Sequence, residues 1–186
     1  MEFLWIVLLA AALVAAGVGI YMLIRKKKSG AGTAGALAMS FQTKPSIIEF
    51  GASESLTPMF HELCRQKGRP ILTVDQSAWS KTKFANLYSQ EWHPFRIVNP
   101  EQRSRLARSA DGWGIAIISA RDTRNIVDLR RHADVVMITD MGMFDNPKKI
   151  GAAYKYRYYF APDVMLLSDT IDVQKIGGYF FNDPKK

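Results

Sequence analysis

Between an apolar run and a helical pattern the chain reads Gly51-Ala52-Ser53-Glu54-Ser55, a turn of small residues with one acid. Strand, glycine turn and helix form an arrangement that holds phosphate, because backbone amides and the positive helix end converge there. Nucleotide hydrolysis needs more. In G-x-x-x-x-G-K-[ST] the lysine reaches the β- and γ-phosphates and the hydroxyl holds magnesium. Leu56, Thr57 and Pro58 stand at those last three positions, and Glu54 adds negative charge where a polyphosphate would lie. Together they argue against ATP hydrolysis. A dinucleotide site reads the same turn differently, with Asp75 at the end of the second strand taking ribose hydroxyls. Such a site asks for further glycines, and positions 52–56 supply none. The plainest reading makes Gly51 a tight strand–helix turn.

Other chemistry is thinly signalled. There is no G-x-S-x-G elbow, and spacing alone brings no Ser, Cys or acidic pair to a histidine. His61, His93 and His132 stand apart in sequence, so no metal ligand set is expected. No catalytic residue and no cofactor is assigned. Asp134, Asp140 and Asp145 gather around one strand end, where carboxylates commonly cap turns. Cys64, the single cysteine, excludes an intrachain disulfide and falls on an apolar helical face, as a core residue would. Net charge is +8, and Arg124, Arg130 and Arg131 crowd one stretch. With Lys155 and Arg157 they are candidates for contact with nucleic-acid phosphates or an acidic partner. In Tyr154-Lys155-Tyr156-Arg157-Tyr158 the alternation places three tyrosines on one strand face and two cations on the other.

These residues need a scaffold, and the pattern predicts an α/β fold with a mainly parallel sheet and flanking helices. Expected strands are Ser46–Phe50, Ile71–Val74, Phe95–Val98, Gly114–Ser119 and Val135–Thr139. β-structure is also expected at Tyr154–Phe160, Val164–Leu167 and Gly178–Phe181. One helix is expected to open with Thr57 as cap and Pro58 at its first position and to stop at Gly68. Others cover Gln76–Trp92, Glu101–Ala110 and Arg124–His132, with Arg103, Arg105 and Arg108 on the surface of the second of these.

Several segments then fall in an order that resembles HerA/FtsK-type P-loop ATPases, a group that includes viral packaging ATPases and Zot-like phage assembly proteins. Gly112–Val136 resembles the family's sensor strand and following helix, with Arg121 at the sensor place. Phe95–Glu101 resembles the strand ending in the Walker B acids, where Asn99 replaces the magnesium-binding Asp and Glu101 follows Pro100. Gly51–Ser55 takes the place of the nucleotide loop. The resemblance covers about Ser46 to Asp183 and implies a relative whose nucleotide motifs are lost.

Phe3–Ile24 is an uncharged run of 22 residues followed at once by Arg25, Lys26, Lys27 and Lys28. At ~1.5 Å per residue it spans a hydrocarbon core, and the basic flank predicts an N-terminus outside and a domain inside. The expected organisation is an anchor over 1–28, a flexible linker over 29–45 and a cytoplasmic α/β domain over 46–186. The expected role is a membrane-anchored, catalytically silent ATPase-like scaffold in virus assembly, DNA packaging or transfer. Its expected partners are a lipid bilayer, nucleic acid or an active ATPase subunit, in a homo- or hetero-oligomer. Two other classes fit: a structural membrane protein bridging lipid to a virion shell, and a nucleotide-binding enzyme with an unorthodox site.

Overall fold

A computed structural model of the chain describes residues 32–119, 123–141, 151–160 and 163–175. Among them the strands are β1 (Ile47–Phe50), β2 (Ile71–Asp75), β3 (Phe95–Ile97), β4 (Trp113–Ser119), β5 (Ala133–Thr139), β6 (Tyr156–Phe160) and β7 (Val164–Ser168). The helices are α1 over 32–40, α2 (Leu56–Lys67), α3 (Ala78–Tyr88), α4 (Pro100–Ala107) and α5 (Thr123–Leu129). The strands join in the order β3-β2-β1-β4-β5-β7-β6. β1 to β5 are parallel, whereas β7 runs antiparallel to both β5 and β6. The α/β class with a mainly parallel, helix-flanked sheet is therefore as the sequence predicts.

Strands covered on both faces read as unbroken apolar runs, and the interior of β4 is buried throughout. Alternate residues serve opposite layers. Ile47, Ile115, Ile117, Val135 and Met137 pack with Phe60 and Cys64 of α2 and with Ala34, Leu37 and Ala38 of α1. Ile48, Phe50, Ile118, Val136 and Ile138 pack with Ala107 of α4 and with Ile126 and Leu129 of α5. The α3 helix lies beside α2, where the Tyr88 and His61 rings are 5.2 Å apart.

Residues 29–45, expected as a linker, are corrected from 32 onward: 32–40 form a helix whose Leu37, Ala38 and Met39 enter the core. Its small residues permit close approach. A Cβ at Gly35 would come within 3.1 Å of side-chain atoms of Met59 and Phe60.

The α2 helix stops at Gly68 as expected, in the left-handed region at φ 61°. Its start differs: Ser55 is the cap, and Thr57 lies inside the first turn, fully buried. Gly178–Phe181 lies outside the described residues. Among the described residues no helix is long and apolar enough to cross a membrane. The expected single-pass membrane localisation thus finds no support in this structure, and the run Phe3–Ile24 that prompted it lies outside the described residues.

Candidate functional site

The chain leaves β1 toward β2 and β3 on one side, then crosses back to β4 on the other. Ligand crevices of open α/β sheets form at such a reversal, beyond the carboxyl ends of the strands. A cleft of about 740 Å³ lies there, lined by Phe50 to Ser53 after β1, Asp75 and Gln76 after β2, and Ser119 at the end of β4. Thr139 and Asp140 close it from β5, and Arg103 reaches it from α4. Its volume is in the range of small-molecule and cofactor sites.

The turn after β1 is tied down from three sides. Gly51 sits at φ 91°, a conformation L side chains rarely adopt, and donates its N–H to the Val74 carbonyl at 2.8 Å. The Ala52 N–H goes to Asp75 Oδ2 at 2.9 Å, and the Ser53 N–H to Thr57 Oγ1 at 2.9 Å. Asp75 Oδ1 accepts the Ser77 N–H at 2.8 Å, so one carboxylate fastens the ends of both strands.

On the far wall the Ser119 hydroxyl donates to Asp140 Oδ2 at 3.0 Å, with Asp140 itself at φ 58°. Arg103, 8% exposed, lies with its guanidinium 5.0 Å from the Phe50 ring centre. Among the lining residues it is the only cation, beside the two acids Asp75 and Asp140.

Beneath the turn Glu49 is 1% exposed. Its Oε1 accepts the Thr57 hydroxyl at 2.9 Å and its Oε2 the Thr73 hydroxyl at 2.7 Å. Burial pushes the Glu49 carboxyl up to about 7, against the pull of the two hydroxyls and with a smaller push from Asp75. The chain of contacts continues. Thr73 Oγ1 lies 2.8 Å from His93 Nε2, and His93 Nδ1 lies 2.9 Å from His61 Nδ1. Burial, with His61 beside it, pushes His93 down to about 4.

Gly51, Ala52, Ser53 and Ser55 all line the cleft. However, the amides of residues 51–53, which a phosphate loop would aim at its ligand, go to Val74, Asp75 and Thr57. Glu54 is exposed and pairs with Lys83 of α3.

Asn99, the expected Walker B position, is the cap of α4. It accepts the Gln102 N–H at 2.8 Å, while the Gln102 side chain returns the bond at 3.0 Å. Glu101 pairs with Arg105 on the same helix at 2.5 Å. Arg103, expected on the surface with Arg105 and Arg108, is buried at the cleft instead.

Arg121 lies outside the described residues, as do the Arg124 side chain and Asp145. Arg130 is engaged by Asp169 at 2.6 Å, and Arg131 is exposed. Lys155 and Arg157 are exposed too, but the tyrosines beside them do not share one face. Tyr156 and Tyr158 pack against the α1–α2 layer, whereas Tyr154 precedes β6 and bonds the Ile126 carbonyl in the opposite layer. Cys64 is a core residue as expected, its thiol pushed up to about 12 by burial. Asp134 accepts the Lys44 N–H at 2.8 Å. Among the described residues no group of three or more His, Cys, Asp or Glu could hold a metal ion.

No family model and no curated protein matches the chain. Solved structures do. Spermidine synthase in complex with the transition-state analogue AdoDATO superposes with a TM-score of 0.53 at 12% identity, over 81% of this chain and 63% of its own. The Methanococcus jannaschii fibrillarin pre-rRNA processing protein gives 0.51 at 11% identity, over 75% of each chain. A SAM-dependent methyltransferase from Geobacter sulfurreducens with S-adenosyl-L-homocysteine gives 0.43 at 18% identity, over 59% of this chain and 46% of its own. The chain thus spans less than two thirds of the synthase and of the Geobacter enzyme.

The fold shared with the synthase and the fibrillarin protein is a Rossmann-like α/β fold. The expected kinship with P-loop ATPases is corrected accordingly, and with it the silent packaging or assembly scaffold. The physical reason lies in the turn: its amides are spent within the fold, and carboxylates border the cleft. Segment order points to the ATPases only because alternating strands and helices are common to many α/β folds.

Proposed function

We propose that this chain binds S-adenosylmethionine in the β1–β4 cleft and transfers its methyl group to an acceptor. The observation that carries this reading is Asp75 at the end of β2, bonded to the Ala52 amide and exposed to the cleft at the strand-order reversal. In nucleotide-binding sheets an acid at this point takes ribose hydroxyls.

The charge pattern supports a cationic rather than a polyphosphate ligand, with Asp75 and Asp140 on the walls and Glu49 below the turn. The volume accommodates an adenosyl cofactor. One departure is that Ser53 and Ser55 stand where a glycine-rich loop would continue, so the cofactor meets hydroxyls as well as backbone there. The spermidine synthase of similar fold is in complex with the transition-state analogue AdoDATO.

Each wall then has a task. Asp75 holds the ribose hydroxyls with lone pairs that the Ala52 and Ser77 amides leave free. The Gly51–Ser53 backbone lies along the amino-acid part. The cofactor, when bound, supplies an electrophilic methyl on a sulfonium. Asp140, aligned by the Ser119 hydroxyl, orients the acceptor and receives its proton.

Isothermal titration of the full chain with S-adenosyl-L-homocysteine tests the reading. Saturable binding that Asp75→Ala abolishes is the expected result. Heat indistinguishable from dilution, at protein concentrations that keep the chain folded, would remove the proposal.

A further inference from the structure

The buried polar contacts under the cleft form one line that leads out to the surface of α2. His61, half-buried there, packs against the Tyr88 and Trp92 rings, and His93 stacks on Phe95 at 4.6 Å between centroids. From His61 inward the steps are 2.9 Å to His93, 2.8 Å to Thr73 and 2.7 Å to Glu49. His93 and Glu49 are buried, and the Thr73 hydroxyl has one hydrogen to share between them. That single hydrogen makes the bonds directional.

With Glu49 ionised, Thr73 donates to Oε2 and must accept from His93 Nε2–H. His93 Nδ1 is then an acceptor, and His61 Nδ1–H donates to it. With Glu49 protonated at Oε2, every bond reverses: Oε2–H donates to Thr73, Thr73 to His93 Nε2, and His93 Nδ1–H to His61 Nδ1. Both orders leave each contact satisfied, so neither strands a buried polar group.

We propose that His61, His93 and Thr73 form a proton path between solvent at α2 and Glu49, and so set the charge beneath the Gly51–Ser53 turn. The bookkeeping closes at one proton. His61 Nε2 takes a proton from solvent and releases the one on Nδ1 to His93 Nδ1. His93 releases its Nε2 proton to Thr73 Oγ1, and Thr73 passes its own to Glu49 Oε2. Each imidazole ends neutral with its tautomer exchanged, and Glu49 ends neutral.

Glu49 Oε1 meanwhile keeps the Thr57 hydroxyl, which holds the Ser53 amide, so the turn stays in place while the charge below it changes. His61, His93 and Thr73 are positioning residues, since none of them lines the cleft. Other ionisable groups bear on the path. Asp75 and Cys64 face Glu49, Glu62 and Arg65 flank His61 on α2, and Tyr88 meets His61 from α3. The effect on the cofactor rests on the reading proposed above: a cationic ligand binds more weakly once Glu49 is neutral, so its affinity falls as pH falls.

Nuclear magnetic resonance of the full chain tests the path without any ligand. The Glu49 carboxyl carbon, identified by its loss in Glu49→Gln, is followed from pH 5 to 9 beside the ring nitrogens of His61 and His93. The path predicts that the His93 proton moves from Nε2 to Nδ1 over the pH interval in which Glu49 gains its proton. Tautomers that stay fixed while Glu49 titrates would overturn it.

His61→Phe keeps a ring against Tyr88 and Trp92 but carries no proton, and Thr73→Val cuts the path at its centre. In either variant the averaged Glu49 signal of the wild type should split or broaden at its midpoint, whereas Thr57→Val should leave it averaged. Unchanged averaging in both cut variants would contradict the path. S-adenosylmethionine affinity, measured over the same pH range, is expected to fall with the protonation of Glu49. Absence of binding at every pH removes the cofactor reading, while the tautomer measurement still decides the path.

Discussion

Asp75 Oδ2 accepts the Ala52 N–H at 2.9 Å, so the end of β2 closes the turn that follows β1. Two strands that are neighbours in the sheet are thereby locked at the point where the strand order reverses. The bond shapes the cleft and presents a carboxylate to it. On the reading proposed above, folding and ligand capture share one side chain.

Gly51 separates backbone from packing. A Cβ there meets nothing within 4 Å, yet φ is 91°. Gly51→Ala should cost about 1–2 kcal/mol from backbone strain alone. For a chain of this size that lowers Tm by roughly 2–8 °C. Calorimetry or a thermal melt checks it, and an unchanged Tm would mean that the turn relaxes freely.

Thr57→Val removes a hydroxyl that donates to Glu49 and accepts from Ser53, at a fully buried position. Valine keeps the shape and leaves the buried Glu49 carboxylate and the part-buried Ser53 amide short of a bond. The expected loss is about 1–3 kcal/mol by chemical denaturation. Amide hydrogen exchange at Ser53 should rise with it, reporting a loosened turn.

Stability should also carry the mark of Glu49 as pH changes. Its carboxyl is pushed up from 4.5 to about 7. The folded chain therefore holds this proton more tightly than the unfolded chain does. The resulting stabilisation is whole below pH 4.5 and is lost as pH rises through 7. Glu49→Gln lacks this contribution. The wild type should lose roughly 3 kcal/mol relative to Glu49→Gln between pH 4.5 and 7. Parallel denaturation curves across that interval measure the difference. A constant gap would show an ordinary carboxylate.

Much of this architecture is legible in the residues. The apolar run Gly114–Ser119 marks a strand covered on both faces, and Gly68 marks the end of α2 through its left-handed conformation. Gly51 with Asp75 is also visible as the frame of a dinucleotide-type site, with the acid at the end of the second strand. The missing glycines count against it only if pyrophosphate must approach the turn, and amides committed to Val74, Asp75 and Thr57 remove that requirement.

Other features were hidden for physical reasons. Residues 32–40 have a linker's composition, but their small side chains let a helix press onto Met59 and Phe60. His61 and His93 are 32 positions apart, and the parallel pairing of β3 with β2 brings the segment before β3 beside α2. Arg103 lies among arginines that are exposed, and no local pattern sets it apart as the one turned to Phe50.

The central claim is that the β1–β4 cleft takes an adenosyl cofactor through Asp75, and Asp75→Asn is its most direct test. Asparagine keeps the size of the side chain but loses the charge, and its amide branch cannot accept a hydrogen bond. Titration calorimetry with S-adenosyl-L-homocysteine on folded wild type and variant should show saturable binding, weakened about tenfold or more by the substitution, equivalent to roughly 1.4 kcal/mol. Equal affinity in the two chains, or no binding by the folded wild type, would contradict the account.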